Sequence, residues 1–290
     1  MKIFVTGSDG FIGSEVILQC KRLGIKVVGA DVKSGFDIRS KDITKHIPKN
    51  VDAIVHLAGL SSDTLCKNNG YKTFDTNVLG TLNLMEAAAA CGAKQFIFAS
   101  TEWVYDNPSM SSGQAAKTEK SLINIANHTS EYALSKLVVE ANLRQKFQNG
   151  FMPVTILRFG IVFGTTGEKR SAVESLFLNV KENPPTGGEI AVGSLKTGRC
   201  FIHVSDIASG ILKAVGLSGF NIINLAGDKL ITLEEIIKIS KKVLKKNPKV
   251  IENNPKNISV RNISNKKAKK LLDWKPKVTI KEYLNDLSNL

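Results

Sequence analysis

A tyrosine and a lysine four positions apart are the first pair of side chains that could do chemistry together. Tyr132 and Lys136 lie in a segment with helical spacing, where residues four apart share one face of the helix. An isolated phenol has a pKa of about 10 and is a poor base at neutral pH. A neighbouring ammonium group favours the phenolate, which could then exchange a proton with a substrate hydroxyl group. The Tyr-x-x-x-Lys spacing by itself also arises by chance.

Two hydroxyl groups come earlier, where a predicted strand over Gln95–Ser100 ends. In open α/β sheets, ligands bind outside the carboxyl ends of the strands, so Ser100 and Thr101 would lie near the ligand. A hydroxyl group there could orient the oxygen atom on which Tyr132 acts. The alternative for such a hydroxyl group is a capping or turn role.

The first predicted strand, Lys2–Thr6, runs into a glycine-rich turn and then into a helix. In this turn Gly7, Gly10 and Gly13 follow the spacing G-x-x-G-x-x-G. Such glycines permit a tight turn and let backbone N–H groups at the helix start approach a pyrophosphate. The pattern predicts a dinucleotide-binding loop, and a glycine-rich turn without a ligand is the alternative.

An acidic residue at the end of the second predicted strand supports a dinucleotide site. Asp31 closes the strand Lys26–Asp31, near the roughly 20-residue offset at which an acid binds the ribose hydroxyls. A carboxylate there repels a 2′-phosphate, so we expect NAD rather than NADP, although Lys33 lies nearby. Hydride transfer to or from the nicotinamide would then accompany proton exchange at Tyr132. An aspartate that only caps a turn is the alternative.

These motifs fall within an alternation of apolar strands and helices. Five compact runs rich in Val, Ile and Phe are predicted as strands: Lys2–Thr6, Lys26–Asp31, Ala53–Leu57, Gln95–Ser100 and Val154–Phe159. Helical spacing occupies three intervening segments: Ile12–Leu23, Asn77–Cys91 and Ser135–Phe147. Continuous apolar strands separated by helices predict an α/β fold, a Rossmann-type doubly wound parallel sheet covered on both faces.

The alternation becomes less regular after about residue 160. We predict an NAD(P)-binding domain over residues 1–160 and a smaller α/β substrate-binding lobe over residues 161–290. Segments such as 200–216 could pack back on the first domain. An amphipathic helix over Leu233–Leu244, capped by Thr232, is expected in the lobe. The ligand would lie in a cleft between the two regions.

The composition is that of an ordinary soluble protein, with 42% hydrophobic and 23% charged residues. No apolar run approaches the roughly 20 residues of a membrane-spanning helix, and no signal-peptide pattern follows Met1. We therefore expect a cytoplasmic protein without a membrane partner. The four cysteines are scattered and have no histidine at metal-binding spacing, so we predict no metal site and no disulfide framework.

The net charge of +14 owes much to lysines late in the chain. Few aromatic residues are interleaved with these lysines, whereas single-stranded nucleic acid is bound by stacking on aromatic rings. We interpret them as a solvated surface and expect no nucleic-acid partner. A positive field could still attract an anionic substrate.

Taken in this order, the motifs resemble those of the NAD-dependent epimerase/dehydratase family, the extended short-chain dehydrogenases/reductases. The match covers nearly the whole chain, and Phe11-Ile12 occupy the aromatic and aliphatic places of the family's cofactor loop. Other segments that resemble family motifs are Asp37-Ile38, His56–Gly59, Asn77–Thr81, Ser100–Tyr105, Arg199–Asp206 and Leu272–Pro276.

The resemblance implies a role for each matching residue. Thr101, Tyr132 and Lys136 would be catalytic, and Thr101, Glu102 and Arg199 would contact the substrate, Arg199 through a phosphate group. The residues expected to contact the cofactor are Gly7, Gly10, Phe11, Ile12, Gly13, Asp31, Asp37, Ile38, Leu57, Ala58, Gly59, Ser100, Tyr132 and Lys136. By analogy with the family, a homodimer would form through helices that include the Tyr132–Lys136 segment.

Some positions depart from the family pattern where it contacts a nucleotide sugar. Ile161 replaces an asparagine that touches the pyrophosphate, and Asn254–Asn257 replaces an Arg-Pro-Gly-Asp segment, with loss of a second phosphate-binding arginine. Ser61 stands where some epimerases have a lysine, and Glu131 replaces the usual proline before the tyrosine. Binding of a nucleotide sugar would then depend on Arg199 or on the basic surface.

Three reactions fit the same catalytic residues. An epimerase returns hydride to the other face of a sugar carbon and retains its NAD, whereas a keto-deoxysugar reductase exchanges its cofactor. The run Thr101–Asp106 resembles a segment of such reductases. A 4,6-dehydratase has an Asp-Glu pair after the threonine, but this chain has Glu102-Trp103, and we interpret Glu102 as a polar loop residue. We expect a nucleotide-sugar epimerase or related sugar oxidoreductase; the alternatives are the reductase, then the dehydratase, and lastly a non-catalytic NAD(P)-binding module.

Overall fold

The structure is a computed structural model that describes residues 1–105, 116–164 and 171–289. Its strands are β1 (Lys2–Thr6), β2 (Lys26–Ala30), β3 (Ala53–His56), β4 (Phe96–Thr101), β5 (Val154–Phe159), β6 (Val162–Phe163), β7 (Thr186–Val192), β8 (Gly198–Arg199), β9 (Ile202–His203), β10 (Phe220–Leu225), β11 (Ile231–Thr232), β12 (Asn247–Glu252) and β13 (Val260–Arg261). Its helices are α1 (Phe11–Arg22), α2 (Asp63–Cys66), α3 (Gly70–Phe74), α4 (Gly80–Ala90), α5 (Glu131–Gln148), α6 (Ala172–Glu182), α7 (Val204–Lys213), α8 (Leu233–Leu244), α9 (Lys266–Leu272) and α10 (Ile280–Ser288). Asp106, the last residue of the reductase-like run, lies outside the described residues.

A six-stranded parallel sheet is the centre of the fold, with the strand order β10-β5-β4-β3-β1-β2. The strand order reverses between β1 and β3, as in doubly wound folds, where ligands bind at the carboxyl ends of the strands. The predicted Rossmann-type parallel sheet is confirmed. Two of the five expected strands, β1 and β5, have the predicted bounds; β2 and β3 each end one residue earlier than predicted, and β4 is shifted by one residue at both ends.

Both faces of the sheet are buried, and neighbouring residues of each strand point to opposite faces. Phe4, Ile54 and Phe98 pack in one core together with Leu84 of α4 and Leu143 of α5. The residues between them in sequence pack in a second core with α1 and α7; they include Ile3, Val5, Val55 and Ile97. This alternation explains why the strands read as unbroken apolar runs.

The sixth strand comes from beyond residue 160. Strand β10 pairs in parallel with β5, and α7 shares an apolar core with α1. Asn221 and Asn224 interrupt the apolar pattern of β10, which is why the sequence analysis did not identify it. The division into residues 1–160 and 161–290 stays a prediction. Strand β10 and helix α7 both follow residue 160, but β10 belongs to the central sheet and α7 packs against it.

The remaining elements form a smaller layer around a third apolar core. Phe177 of α6, Ile236 of α8 and Tyr283 of α10 meet there, next to the two-stranded sheet of β7 and β12. Helix α8 has the predicted bounds, and Thr232 caps it by accepting a hydrogen bond from the Glu235 N–H group at 3.2 Å. In the described part of the chain, no helix is both long and apolar enough to cross a bilayer.

Candidate active site

The glycine-rich loop follows β1 and leads into α1. Gly7 has a φ of 71°, which favours glycine, and a β-carbon on Gly13 would overlap the Gly7 carbonyl oxygen. Gly10 immediately precedes α1 and has no side chain to cover the backbone N–H groups of the first turn. A dinucleotide pyrophosphate fits this arrangement, because the positive helix start is bare and the backbone can approach closely.

Asp31 lies at the end of β2, beside this loop. Its carboxylate accepts a hydrogen bond from the Asp9 N–H group at 3.2 Å and another from the Lys33 N–H group at 3.0 Å. The side chain therefore caps the turn after β2 and also contacts the glycine loop. Asp31 thus caps a turn, and it also lies at the position expected of an acid that binds the ribose.

The two residues of the Asp37-Ile38 pair have different surroundings. Ile38 is buried against the start of α4, where a β-carbon on Gly80 would lie 2.8 Å from it. The Asp37 carboxylate is 2.6 Å from the Arg39 guanidinium, and that hydrogen-bonded pairing lowers the pKa of Asp37. Arg39 also pairs with Asp75 at 3.0 Å. Both side chains thus have partners within the protein, Ile38 in the core and Asp37 at Arg39.

The segment Leu57-Ala58-Gly59 leaves the end of β3 close to the glycine loop. A β-carbon on Gly7 would lie 2.8 Å from the Ala58 nitrogen, so the two loops touch. Asn77 holds the next residue in place, accepting from the Leu60 N–H group at 2.8 Å and donating to the Leu60 carbonyl oxygen at 3.0 Å. The Asn77 amide also reaches the Ser135 hydroxyl group at 3.1 Å, which ties this loop to α5.

Tyr132 and Thr101 meet in the interior. Helix α5 begins four residues earlier than expected, at Glu131, because Ser130 caps it and accepts from the Ala133 N–H group. Tyr132 is then in the first turn, and its hydroxyl group is hydrogen-bonded to that of Thr101 at the end of β4. Burial raises the pKa of Tyr132 to about 12, and the hydrogen bond with Thr101 opposes this rise.

Lys136 lies one turn further along α5. Its Nζ donates to the Ala99 carbonyl oxygen at 2.9 Å and lies 4.8 Å from the centre of the Phe98 ring. Burial lowers the pKa of Lys136 to about 8. The ammonium group is 5.9 Å from the centre of the Tyr132 ring, so the predicted pair does share one side of the helix.

Ser100 points to the face of the sheet that α5 covers. Its hydroxyl group donates to Glu140 at 2.5 Å, and Glu140 forms a buried ion pair with Arg158, also at 2.5 Å. The Ser100 hydroxyl group is therefore part of a buried polar network that joins β4, β5 and α5. The cofactor contact that the family resemblance implies for Ser100 stays a prediction.

Glu102 is completely buried, so its interpretation as a polar loop residue is wrong. Within the described chain, neither carboxylate oxygen has a hydrogen-bond partner, and Arg199 Nε lies 3.5 Å from Oε1. Burial raises the pKa of Glu102 to about 7, and the charges of Arg199 and Arg261 oppose the rise. The residue directly after Thr101 is thus a buried carboxyl group that faces two arginines.

Arg199 is held mostly by protein groups. One of its terminal nitrogens donates to the Ser259 carbonyl oxygen at 2.6 Å, and the other donates to the Ser259 hydroxyl group at 3.0 Å. Its Nε faces Glu102. The predicted phosphate contact would therefore require Arg199 to exchange some of these partners.

A cleft of about 380 Å³ opens at the segments that follow Thr101 and precede Tyr132. Its walls include Trp103, His128, Ser130 and Arg261, and the Arg261 guanidinium stacks over the Trp103 ring at 4.0 Å. The sequence analysis did not identify His128 or Arg261 as site residues. Arg261 carries no motif, and only the pairing of β13 with β8 places it beside Arg199.

No cluster of metal-binding side chains occurs among residues 1–105, 116–164 and 171–289. The four cysteines are buried and free. His56, from the His-x-Ala-Gly segment, lies between the hydroxyl groups of Thr6 and Thr81, each 2.8 Å from one ring nitrogen. Burial lowers the pKa of His56 to about 3, which makes this histidine a neutral structural link.

The parallel sheet, the bare glycine loop and the buried Thr–Tyr–Lys cluster define a Rossmann-type enzyme class with a dinucleotide cofactor. Residues 3–226 match the model of the NAD dependent epimerase/dehydratase family, and the chain belongs to that family. The resemblance stated from the sequence is thereby confirmed, and so is NAD as the family's cofactor.

Named proteins of the family are similar over almost the whole chain. The chain is 27% identical to UDP-glucuronate 4-epimerase of Thermodesulfobacterium geofontis, over 98% of this chain and 94% of that protein. It is 28% identical to UDP-glucuronic acid decarboxylase 1 of Arabidopsis thaliana, over 98% of this chain and 68% of that protein. The crystal structure of Thermus thermophilus UDP-glucose 4-epimerase with NAD superposes with a TM-score of 0.82 at 24% identity, covering 98% and 97% of the two chains.

Proposed function

We propose that this protein is an NAD-dependent nucleotide-sugar epimerase or a closely related sugar oxidoreductase. The observation that carries the proposal is the buried hydrogen bond between Thr101 and Tyr132 at the carboxyl edge of the sheet, with Lys136 on the next turn. Relatives named as UDP-sugar epimerases, aligned over nearly the whole chain, support this substrate class.

The cofactor-binding residues would be those of the glycine loop together with Asp31. Gly7 and Gly13 leave room for the pyrophosphate, and the Asp31 carboxylate lies beside the same loop. When bound, NAD supplies a hydride acceptor and donor next to the sugar carbon. A 2′-phosphate would meet the Asp31 carboxylate, which supports NAD over NADP.

In the proposed reaction, Thr101 orients the sugar hydroxyl group and Tyr132 exchanges its proton. Burial raises the pKa of Tyr132, so the phenolate requires positive charge nearby. The Lys136 ammonium group supplies part of that charge, and the ring of oxidised nicotinamide would supply more. Tyr132 can then take the proton when the sugar carbon is oxidised and return it when the carbon is reduced.

We also propose that the protein is a homodimer in the cytoplasm. Tyr71, Leu79 and Leu65 are exposed at 89%, 58% and 49%, and they lie on the segments that pack beside α5. Exposed apolar side chains on three segments that pack on the same helix support a contact between copies. The buried free thiols support a reducing compartment, and fractionation of cells that make the protein would test that location.

Replacing Tyr132 by Phe tests the function. With UDP-glucose or UDP-glucuronate as substrate, we expect kcat to fall about 100- to 10,000-fold, because the proton carrier is removed while the ring still packs. Proton NMR of the sugar would follow product formation, and chromatography of the denatured protein would quantify retained NAD.

The matched control is Tyr71→Phe, which removes an exposed hydroxyl group and should leave kcat unchanged. Retained NAD together with a sugar epimer as product supports the epimerase. Equal turnover by the Tyr132→Phe variant and the wild type would contradict the proposal.

A further inference from the structure

Three successive residues of β4 each contact helix α5. Their partners on the helix are spaced four residues apart and therefore share one face of α5. The three hydrogen-bonded pairs are Ala99 with Lys136, Ser100 with Glu140 and Thr101 with Tyr132. These contacts cover about two turns of the helix. Sliding or rotation of α5 against β4 would break all three of them.

The contact between Ser100 and Glu140 differs from the others, because neither side chain takes part in the proposed proton transfer. In that reaction both Thr101 and Tyr132 bind the sugar hydroxyl group, so their mutual hydrogen bond cannot hold the helix throughout. Ser100 and Glu140 are buried, and their hydrogen bond of 2.5 Å lies one helix turn beyond Lys136. This contact can persist while the reacting groups exchange partners.

Glu140 is also anchored to two further strands. Arg158 of β5 donates to it through Nε at 3.0 Å and through Nη2 at 2.5 Å, one bond to each carboxylate oxygen. The Arg158 guanidinium lies 4.9 Å from the centre of the Tyr105 ring, and the Tyr105 hydroxyl group donates to Asn224 of β10 at 2.7 Å. A bidentate pair of this kind fixes the orientation of the carboxylate. Glu140 thereby joins α5 to the sheet itself.

Glu140 also supplies negative charge to Lys136. Burial lowers the pKa of Lys136 to about 8, and the charges of Cys66 and Glu140 oppose this fall. Burial raises the pKa of the Cys66 thiol on α2 and lowers that of His56 on β3 to about 3, so both groups are neutral near pH 7. Of these three groups near Lys136, Glu140 is the one that carries charge, in its ion pair with Arg158.

We propose that Glu140 is a positioning residue for the reaction. Through Ser100 it holds α5 in register with β4, so that Tyr132 meets Thr101. Its charge favours the ammonium form of Lys136, one turn away on the same face of α5. In this role Glu140 touches neither the sugar nor the cofactor and acts through the residues that it holds. The inference rests on the function proposed above.

The variants Glu140→Gln and Arg158→Met break the same buried ion pair from opposite sides. Both should lower the unfolding temperature, because each leaves one buried group without its charged partner. Their effects on Lys136 should differ in sign. Loss of the carboxylate disfavours the ammonium group, whereas loss of the guanidinium leaves the carboxylate unneutralised and favours it. A purely structural role of the ion pair would change Lys136 in the same way in both variants.

NMR of the protein labelled with carbon-13 at lysine Cε follows the titration of Lys136, and Lys136→Arg identifies its signal. We expect the protonation constant of Lys136 to fall at least about threefold in Glu140→Gln and not to fall in Arg158→Met. With UDP-glucose, kcat of Glu140→Gln should fall about 10- to 100-fold, as loss of positioning predicts. The alkaline limb of its pH profile should move to lower pH, because Lys136 then loses its proton earlier.

Ser100→Ala tests the contact with β4 in a variant that keeps both charges. We expect kcat about three- to tenfold lower, since one buried hydrogen bond is lost, with an unchanged titration of Lys136. Asp206→Asn is the matched control. Asp206 is also a buried carboxylate on a helix, accepting from the Lys277 and Val278 N–H groups at 2.9 and 3.0 Å, but it lies on α7. Its replacement should change neither kcat nor the titration of Lys136.

Three outcomes would overturn the proposal: no fall in the protonation constant of Lys136 in Glu140→Gln, a similar fall in Arg158→Met, or full kcat in Ser100→Ala. Retained NAD in each variant shows that the fold is intact. The NMR titration needs no turnover. The expected shifts in a protein that converts no nucleotide sugar would refute the proposed reaction while supporting the role of Glu140, so the two failures are distinguishable.

Discussion

At the scale of single residues, burial determines the chemistry of this site. Thr101, Tyr132 and Lys136 were predicted from their types and spacing, and the structure brings them together. The state of each group depends on its surroundings, since burial raises the pKa of Tyr132 and lowers that of Lys136. A sequence specifies which groups can titrate, but not how far each is removed from water.

Glu102 gives a prediction at this scale. Its pKa is about 7 in the folded protein against 4.5 as the ordinary value, so the folded state binds a proton that the unfolded state has lost. This stabilising contribution is complete below pH 4.5 and is lost as the pH rises through about 7. The total change is roughly 3 kcal/mol.

Urea unfolding of the wild type and of Glu102→Gln between pH 4.5 and 8 measures this contribution. The free energy of unfolding of the wild type should fall relative to that of the variant as the pH increases. Glu189→Gln is the control, because Glu189 is an exposed member of an ion pair with Lys249. An opposite slope would mean that Arg199 and Arg261 hold Glu102 ionised against the effect of burial.

At the scale of elements, the ends of strands and helices decide what the site contains. Ser130 sets the first residue of α5 and thereby places Tyr132 in its first turn. Gly10 leaves the start of α1 bare. The helix predicted over Ser135–Phe147 is present, but its predicted start is four residues after the observed one. The segment before Tyr132 is polar throughout, so Ser130 was not recognised as the capping residue. Local patterns located these elements better than they located their ends.

Gly13→Ala tests the loop. A β-carbon at this position overlaps the Gly7 carbonyl oxygen, so we expect loss of NAD binding and a destabilisation of about 1–3 kcal/mol. Calorimetric titration with NAD and thermal unfolding would measure the two effects. Gly193→Ala is the matched control, since a β-carbon there meets no atom within 4 Å. Unchanged NAD affinity in Gly13→Ala would argue against the loop as the cofactor site.

At the scale of the whole molecule, the second half of the chain completes both the sheet and the site. Strand β10 extends the sheet, and β8 with β13 brings Arg199 and Arg261 over the residues that follow β4. The cleft consequently has walls from distant parts of the chain, with Trp103 from the segment after β4 and Arg261 from β13. Substrate selection by such a cleft depends on how the parts pack.

The proposed homodimer is tested at the same scale. Tyr71→Glu places a charge in the exposed apolar face, and we expect it to shift the protein from dimer to monomer in analytical ultracentrifugation. Leu122→Glu changes another exposed residue, at 92% exposure, outside that face and should leave the assembly unchanged. A monomeric wild type at all concentrations would disprove the dimer.

The sequence by itself determined the fold class and the family, and it identified the glycine loop and the Thr–Tyr–Lys residues as candidates. Each of these depends on local order: apolar runs, glycine spacing, or two side chains on one helix turn. Only the tertiary structure decided that Glu102 is buried, that Ser100 joins the Glu140–Arg158 network, and that Arg261 meets Trp103. Those contacts join residues far apart in the chain, and their energies depend on burial, which no local pattern records.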